Sequence, residues 1–309
     1  MKTKSTVTET QANLLEQATY YNGYSALIPN SKSIGFKVNS IKFQDSNAAS
    51  RIAEDFIANL GFCKNDLESE HSILSFLMPA GTVMLSFANQ EDNHHLKKIN
   101  LPKSLPLKMG LEDVIRSRRS IRHYTGDKVP LAYLASILRT GYGITATTEV
   151  DLQNGVTTAL STRSCASAGG IYPIDIYIAA LNIEGLDKGI YQYNPKDDTL
   201  IKLYESNAVD QLLATFSTNE EQISLKRSGF ISLLVGTASK SMQKYGKLGL
   251  SFTIHEIGSI SQNIHLAVTA LGLGSVDCAS YYISEAQQVL KIDGIYKHLF
   301  HTIVVGVTQ

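Results

Sequence analysis

The stretch "RSRRSIRHY", Arg116 to Tyr124, sets four arginines within seven residues. A guanidinium is a planar fork that always stays charged, so Arg118, Arg119 and Arg122 around the hydroxyl of Ser120 suit a phosphate clamp. The same residues equally make the exposed basic end of a helix, and the stretch alone does not choose. In "SCASAGGIYP", 164–173, five small residues from Ala166 to Gly170 let backbone approach a ligand closely, although a plain tight turn would use them too. The stretch is neither a GxGxxG fingerprint nor a P-loop, since no Lys-Ser/Thr follows. In "QKYGKLGL", 243–250, Lys244 adjoins Tyr245. A cation beside a phenol favours the phenolate, which would make a base of a group that is normally too weak an acid. Neighbouring Lys-Tyr pairs also occur on surfaces with no such role.

Other reactive side chains say less. His94-His95 and the "HLFH" of His298 and His301 have no carboxylate or thiol at ligand spacing, so no metal site is expected. Cys165 could be a nucleophile, but no base stands beside it in the sequence, and Cys278 reads as packing. The three cysteines, Cys63, Cys165 and Cys278, are odd in number and form no CxxC pair. Neither a disulfide framework nor a cysteine-based zinc site follows, and a reducing cytoplasm fits. Tyr20, Tyr21 and Tyr24 read as core or dimer contacts rather than a nucleic-acid platform.

The 28 Lys+Arg balance 28 Asp+Glu, which argues against wholesale nucleic-acid or membrane binding and makes the arginines a local device. The start, "MKTKSTVTETQANLLEQ", lacks the apolar core of a signal peptide, and no apolar run approaches the ~20 residues that span a bilayer. A cytoplasmic protein is expected.

The elements that must position these residues can be read from periodicity. The 309 residues suffice for one main domain with an N-terminal extension. In residues 1–100, "NLLEQATYY" and "AASRIAEDFIANLGF" have helical spacing and "SILSFLMPAGTVMLSFA" reads as two strands around a turn. "NLPKSLPLKMG", with two prolines, marks a linker at 101–110, and a larger domain runs over 111–309. There, "LEDVIRSRR" predicts a short helix with acidic residues at its start and basic ones at its end. "LAYLASILRTGYG" predicts a second, ended by Gly141 or Gly143. "IDIYIAALNIEG" predicts a strand and "KGIYQYNPKDDTLIKLY" a hairpin. "FISLLVG" and "TIVVGV" are unbroken apolar runs of strand length, suited to central strands covered on both faces. Between them Ile257, Ile260, Ile264, Ala267 and Leu271 recur at helical spacing, with Glu256, Ser259 and Asn263 on a polar strip. Helices and strands mix without regular alternation, so the fold class is α+β: a central mixed sheet flanked by helices, with an N-terminal α/β extension.

Taken in order, "RSRRSIRHY", "LAYLASILRTGYG", "CASAGGIYPIDIYIAALNIEGLDKGIYQYNP", "QKYG", "EIGSISQNIHLAVTALGLGS" and "LKIDG" resemble the SagB-type branch of the nitroreductase superfamily, over about two thirds of the chain. The resemblance implies a nitroreductase-like fold that binds FMN at the interface of an intertwined homodimer. It also implies a reaction. An azoline ring, made from Cys, Ser or Thr of a ribosomal precursor peptide by a YcaO-type cyclodehydratase complex, loses two electrons and two protons to become an azole.

By position, Arg118, Arg119, Ser120 and Arg122 match the family's FMN-binding "RRSxR", and Ser167, Ala168, Gly169 and Gly170 match its "PSAGG" turn beside the flavin. Lys244 and Tyr245 match its catalytic pair, and Gln262 and Asn263 its "QN". Ala279 and Ser280 stand where "GGF" usually follows "GLGSV". The sequence departs from the pattern at Ala166, at Leu248 or Ser251 where an arginine is expected, and at Ala279-Ser280-Tyr281. The implied mechanism has Tyr245, kept acidic by Lys244, removing the ring's α-proton while hydride passes to the flavin. An NAD(P)H-using reductase, an azoline oxidase for a non-ribosomal peptide, and an inactive scaffold subunit of a heterocycle synthetase are the alternatives.

Overall fold

The computed structural model describes residues 56, 57, 60, 96–151 and 157–309. The elements expected within residues 1–95, with Cys63, His94-His95 and the N-terminal tyrosines, lie outside the described residues, except that Phe56 and Ile57 are helical as their segment's spacing predicts.

The framework is a seven-stranded sheet. Its strands are β1 (Lys98–Asn100), β5 (Ile174–Ala180), β7 (Gly189–Asn194), β8 (Thr199–Tyr204), β9 (Phe230–Gly236), β10 (Leu273–Asp277) and β11 (His298–Val307), in the order β1-β8-β7-β5-β9-β11-β10. Each pairing in it is antiparallel. The α+β class is therefore as expected, but the sheet is not mixed. The unbroken apolar runs report burial on both faces, and burial carries no information on strand direction. Along β5, Ile174, Ile176 and Ile178 join one hydrophobic cluster while Tyr177 and Ala179 join the other. In β9, Phe230 and Leu234 go one way and Ile231, Leu233 and Val235 the other. This is the period-two alternation of a strand, made invisible in the sequence because both sides are apolar.

Two helices cover the first face: α2 (Leu131–Tyr142) and α5 (Leu248–Ala270). They approach closely, since a Cβ on Gly141 would lie 2.8 Å from Ile264. Shorter helices α3 (Ser206–Ala214) and α6 (Ile283–Val289) cover the second. The basic stretch follows α1 (Leu111–Ser117), whose first turn carries Glu112 and Asp113 as the helix dipole prefers. A short parallel pair, β2 (Val129–Pro130) with β6 (Ile183–Glu184), and a separate hairpin, β3 (Ile144–Asp151) with β4 (Thr157–Arg163), complete the strands. Helix α4 (Ala238–Tyr245) leads from β9 into α5.

The registers bring four strand termini to one end of the sheet. The start of β5 and the start of β11 both pair with Gly236 at the end of β9, and the end of β10 pairs with Ile303. The small-residue turn before β5, helix α4 after β9 and the segment after β10 therefore leave from the same end.

Arg139 of α2 ties the β7–β8 turn to the segment that follows β1. Its guanidinium pairs with Asp198 in the β7–β8 turn and donates to the Pro102 carbonyl and to Ser104 Oγ, at 2.8 and 2.7 Å. Leu105 N–H also donates to Ser136 Oγ at 2.8 Å, so this part of the proline-containing stretch is tied to α2. Charge-assisted bonds of this kind contribute about 1.5–3 kcal/mol each when partly shielded. Arg139→Ala should cost roughly 2–3 kcal/mol in urea unfolding, whereas Arg116→Ala, whose ion pair with Glu112 is exposed, should cost less than about 0.5 kcal/mol.

Candidate active site

The turn of small residues forms a single 3-10 turn, Ala168–Gly170, in which Gly169 and Gly170 take positive φ values of 63° and 67°. Helix α4 ends directly over it. A Cβ built on Gly169 would lie 2.5 Å from Tyr245 Oη and 2.6 Å from Lys244 Nζ, inside any real contact distance. The two motifs, some 75 residues apart in the chain, thus meet at one glycine, and both side chains of the pair are half-buried. Gly246, with φ 53°, turns the chain from α4 towards α5 just after Tyr245, and Phe252 of α5 meets the Tyr245 ring edge-on at 5.0 Å between centroids.

The electrostatics of the pair differ from the expectation. Burial raises the Tyr245 phenol above its ordinary value of 10.0 and lowers the Lys244 ammonium below 10.5. Both groups are driven towards their neutral forms, and no acidification of Tyr245 by Lys244 accompanies this. Desolvation penalises charge on each, and Lys244 Nζ sits 5.3 Å from the centre of the Tyr245 ring. Of the two, the lysine is the one whose uncharged, basic form burial favours.

A buried polar cluster lies beneath the turn. Glu256 points from α5 into the core, 3% exposed. Its Oε1 accepts the Tyr142 hydroxyl at 3.0 Å, and the Ser167 hydroxyl bonds it too. Burial pushes this carboxyl up to about 7, against the opposing pull of those two bonds and of Arg163. The Arg163 guanidinium lies 4.2 Å above the Tyr142 ring and 4.7 Å above that of Tyr172. Ser167 Oγ accepts the Tyr172 N–H at 2.9 Å, so its side chain is engaged within the protein. Cys165 is buried here with its thiol raised to about 12, first by burial, which removes it as a nucleophile near neutral pH.

Gln262 and Asn263 lie on the outer side of α5. With Ser164, Cys165 and Ala166 they line a cleft of about 670 Å³, and Asn263 Nδ2 donates to the Ser164 carbonyl at 3.4 Å. Ser164 Oγ is buried there without a hydrogen-bond partner among the described residues.

The arginine stretch runs beside β10. Ser120 bridges Ser275, and Ile121 N–H donates to the Ser275 carbonyl at 2.9 Å. Arg118 is half-buried while Arg119, Ser120 and Arg122 are exposed. The side chains of Arg119 and Arg122 bond only backbone carbonyls, and none of the three arginines has a carboxylate partner among the described residues. Arg116 instead pairs with Glu112 on the exposed side of α1. Ala279 and Ser280, both exposed, follow β10, and Ser280 O accepts Ser217 N–H. The structure thus forms two groups, one at the β10 edge and one at Gly169.

Two constellations escape a reading by linear spacing. Asp277, at the end of β10, accepts Ser261 Oγ at 3.0 Å, His265 Nε2 at 3.0 Å and His301 Nε2 at 2.6 Å. Burial alone would raise its carboxyl, but the bonds from both histidines and their charges hold it well below the usual range. His301 does therefore find a carboxylate, one that the sheet delivers. The other is Glu256, placed by helical spacing alone on a polar strip. It falls four residues before Ile260 and eight before Ile264, on the buried stripe, and that spacing was the available signal.

Two outcomes follow from this geometry. Gly169→Ala must adopt a left-handed conformation, costing about 1–2 kcal/mol, and must push Lys244 and Tyr245 aside. Its melting temperature should fall, and Tyr245 fluorescence should change. Glu256 keeps its proton in the fold up to about pH 7 while an unfolded chain releases it near 4.5. Below 4.5 neither state titrates; as pH rises from there to 7 the folded state loses stability, by at most about 3 kcal/mol. Glu256→Gln should lack this decline, gaining on the wild type between pH 5 and 8 in urea titrations.

A family model described as the nitroreductase family matches residues 115–307. A protein of Methanocaldococcus jannaschii classed as a nitroreductase is 29% identical over 196 residues, 63% of this chain and 90% of that protein. Among solved structures, the chain is similar to one from Anabaena variabilis classed as a nitroreductase, with a TM-score of 0.57 and 20% identity over 72% of this chain. It spans only 43% of that protein. It is also similar to a chain of the Escherichia coli microcin synthetase McbBCD complex with truncated pro-MccB17 bound, with a TM-score of 0.53 and 19% identity over 84% of this chain and 92% of that one. At these identities the structural likeness establishes the fold.

Proposed function

Because the chain belongs to the nitroreductase family of oxidoreductases, we propose that it is an FMN-dependent dehydrogenase that oxidises azoline rings of a ribosomal precursor peptide to azoles. The observation that carries this reading is the meeting of Lys244 and Tyr245 over Gly169, which unites the two family motifs assigned to catalysis and to the flavin's surroundings. Likeness to a chain of a microcin synthetase complex holding a pro-peptide supports a peptide substrate and a heterocycle-forming partner.

The residues present fit FMN. Arg118, Arg119 and Arg122 bring three cationic forks with no carboxylate partner among the described residues, beside the exposed Ser120 hydroxyl, the donor chemistry that a phosphate dianion requires. In this reading they hold the phosphate with Ser120. In the same reading the backbone of Ser167, Ala168, Gly169 and Gly170, the amides of Gln262 and Asn263, and Ala279 and Ser280 would contact the rest of the flavin. When bound, FMN supplies the two-electron acceptor.

Lys244 and Tyr245 then account for the proton. Aromatising an azoline removes one hydride and one proton, and the proton needs a base of this chain. Lys244, lowered by burial, offers a neutral amine at lower pH than an ordinary lysine. Tyr245, raised by burial, stays protonated and can donate a hydrogen bond to a ring heteroatom. The closed turn under both keeps them in one orientation.

The same reading takes the chain as a homodimer in the cytoplasm, working with a cyclodehydratase. Among the described residues no helix is long and apolar enough to cross a membrane. A second reading, an NAD(P)H-using reductase, draws on the Methanocaldococcus relative classed as a nitroreductase.

The purified protein should carry the absorbance of bound flavin, and an azoline peptide should lose the mass of two hydrogens per ring. Lys244→Ala should keep the flavin but slow oxidation at least about a hundredfold, and abolish the rise of activity towards alkaline pH that deprotonation of Lys244 produces in the wild type. Arg118→Ala with Arg119→Ala should weaken FMN binding by more than about tenfold. Unchanged oxidation in Lys244→Ala would refute the assignment. Bleaching by NADPH with no azoline turnover would favour the reductase, and a colourless protein that takes up no FMN would indicate a scaffold.

A further inference from the structure

The β3–β4 ribbon pairs with no other strand among the described residues, so the outer edge of β4 carries main-chain groups that the sheet leaves open. Two bonds at its foot identify them. Ser164 N–H donates inwards, to the carbonyl of Gly143 just before β3, at 2.9 Å. Arg163 N–H donates the other way, to the Tyr172 hydroxyl, at 2.9 Å. The bulge in the ribbon takes its extra residue, Thr145, from β3, so the alternation along β4 runs on unbroken. Ser161, Ala159 and Thr157 therefore turn their N–H and C=O groups outwards, as Arg163 does. The Thr147 and Ser161 hydroxyls, 3.4 Å apart across the ribbon, fit this phase, because side chains stand closest at pairs whose main-chain groups point away. None of the three outward residues has a main-chain partner outside the ribbon among the described residues. Thr157 and Ala159 are exposed and Ser161 partly so.

Such an edge suits one kind of occupant, another extended backbone. Resting on the reading of the chain as an azoline-peptide dehydrogenase, we propose that the outer edge of β4 docks that peptide, which adds to the ribbon as a third strand and passes from it to Lys244 and Tyr245. Continuity favours the substrate over other extended chains. Past Arg163 the same backbone forms the cleft wall at Ser164, Cys165 and Ala166, and then the turn whose Gly169 lies against Lys244 Nζ and Tyr245 Oη. The Tyr172 hydroxyl fills the edge at Arg163, so an added strand stops there, one residue short of the cleft wall. Charge narrows the choice further. Thr157 to Thr162, "TTALST", carries no ionisable side chain, so the edge suits an uncharged flank. The flank must also be uncyclised, since closing an azoline ring consumes an amide N–H and C=O that strand pairing needs. The ribbon thus holds ordinary peptide while the ring beyond it reaches the site. A two-stranded ribbon is marginal alone, and a third strand strengthens it.

The test uses the full-length protein as purified and a synthetic fluorescein-labelled peptide with a flank of Gly, Ser, Thr and Ala followed by one thiazoline. The wild type should raise its anisotropy saturably. The same peptide N-methylated along its flank keeps every side chain but loses its donors, and should bind at least about tenfold more weakly. Ala159→Pro, which removes an outward N–H and no bond of the ribbon, should weaken the unmethylated peptide about tenfold. The methylated peptide needs no variant, and decides alone if Ala159→Pro does not fold. In turnover Ala159→Pro should raise KM for the peptide by a similar factor with kcat unchanged, and should oxidise a lone thiazoline amide, too short to reach the ribbon, as fast as the wild type. Absence of binding to the wild type, or binding that ignores both methylation and Ala159→Pro, overturns the inference even if azolines are oxidised. So does a fall from dimer to monomer in Ala159→Pro with peptide affinity unchanged, which would give the edge to a second copy. Binding that both changes weaken, in a protein that oxidises no azoline, sustains peptide docking and removes the proposed function alone.

Discussion

Everything at this site depends on the absence of one side chain. Gly169 occupies a left-handed position that other residues reach only with strain, and the volume its Cβ would fill holds the Lys244 amine and the Tyr245 hydroxyl. The glycine therefore meets two demands at once, conformational and steric. Helix α4 can end where it does only because that space is open, and the chain can turn away after Tyr245 because Gly246 also takes a positive φ. Polar side chains packed on bare backbone lose water on one side, which is why burial moves both titrations towards the uncharged forms.

Below that contact the core contains Glu256, an unusual choice for the helix that packs on the main sheet. An apolar residue of similar size would remove a desolvation cost, and isolated buried carboxylates are rare for that reason. Here Tyr142, Ser167 and the nearby Arg163 compensate part of it. A second carboxylate, Asp277, shows the opposite balance. It is half-exposed and receives three hydrogen bonds, two from histidines, so its charge is favoured. Two acids at the same end of one sheet are thus pushed in opposite directions by burial and by the number of donors aimed at them.

The arginine stretch belongs to a different part of the framework. It runs beside β10 through the Ser120–Ser275 bridge, so its guanidinium groups are displayed along a rigid strand rather than on a free helix end. Arg118, Arg119 and Arg122 have no carboxylate partner among the described residues, so under the proposed function no internal ion pair would have to break before a phosphate binds.

Much of this architecture was legible in the linear chain. The helices over "LAYLASILRTGYG" and "SFTIHEIGSISQNIHLAVTALGLG", the strands at 174–180, 230–236 and 302–307 and the β7–β8 hairpin follow from periodicity, since side-chain spacing alone decides which face is apolar. The residue types of the arginine group, the glycine turn and the Lys-Tyr pair were equally visible, because chemistry such as permanent charge or freedom at positive φ resides in single residues. Strand direction was not visible: a strand buried on both faces is apolar throughout whichever way its neighbours run. Nor was the acid–base character of Lys244 and Tyr245, because adjacency suggested acidification of the phenol, while the actual shifts come from desolvation by groups distant in the chain. The union of Gly169 with the pair, the burial of Glu256 and the two histidines on Asp277 arise from contacts between segments 12 to 114 residues apart. Sequence determines which groups are present and which local elements carry them; only the packing of those elements decides which groups lose their water to one another, and that loss sets their chemistry.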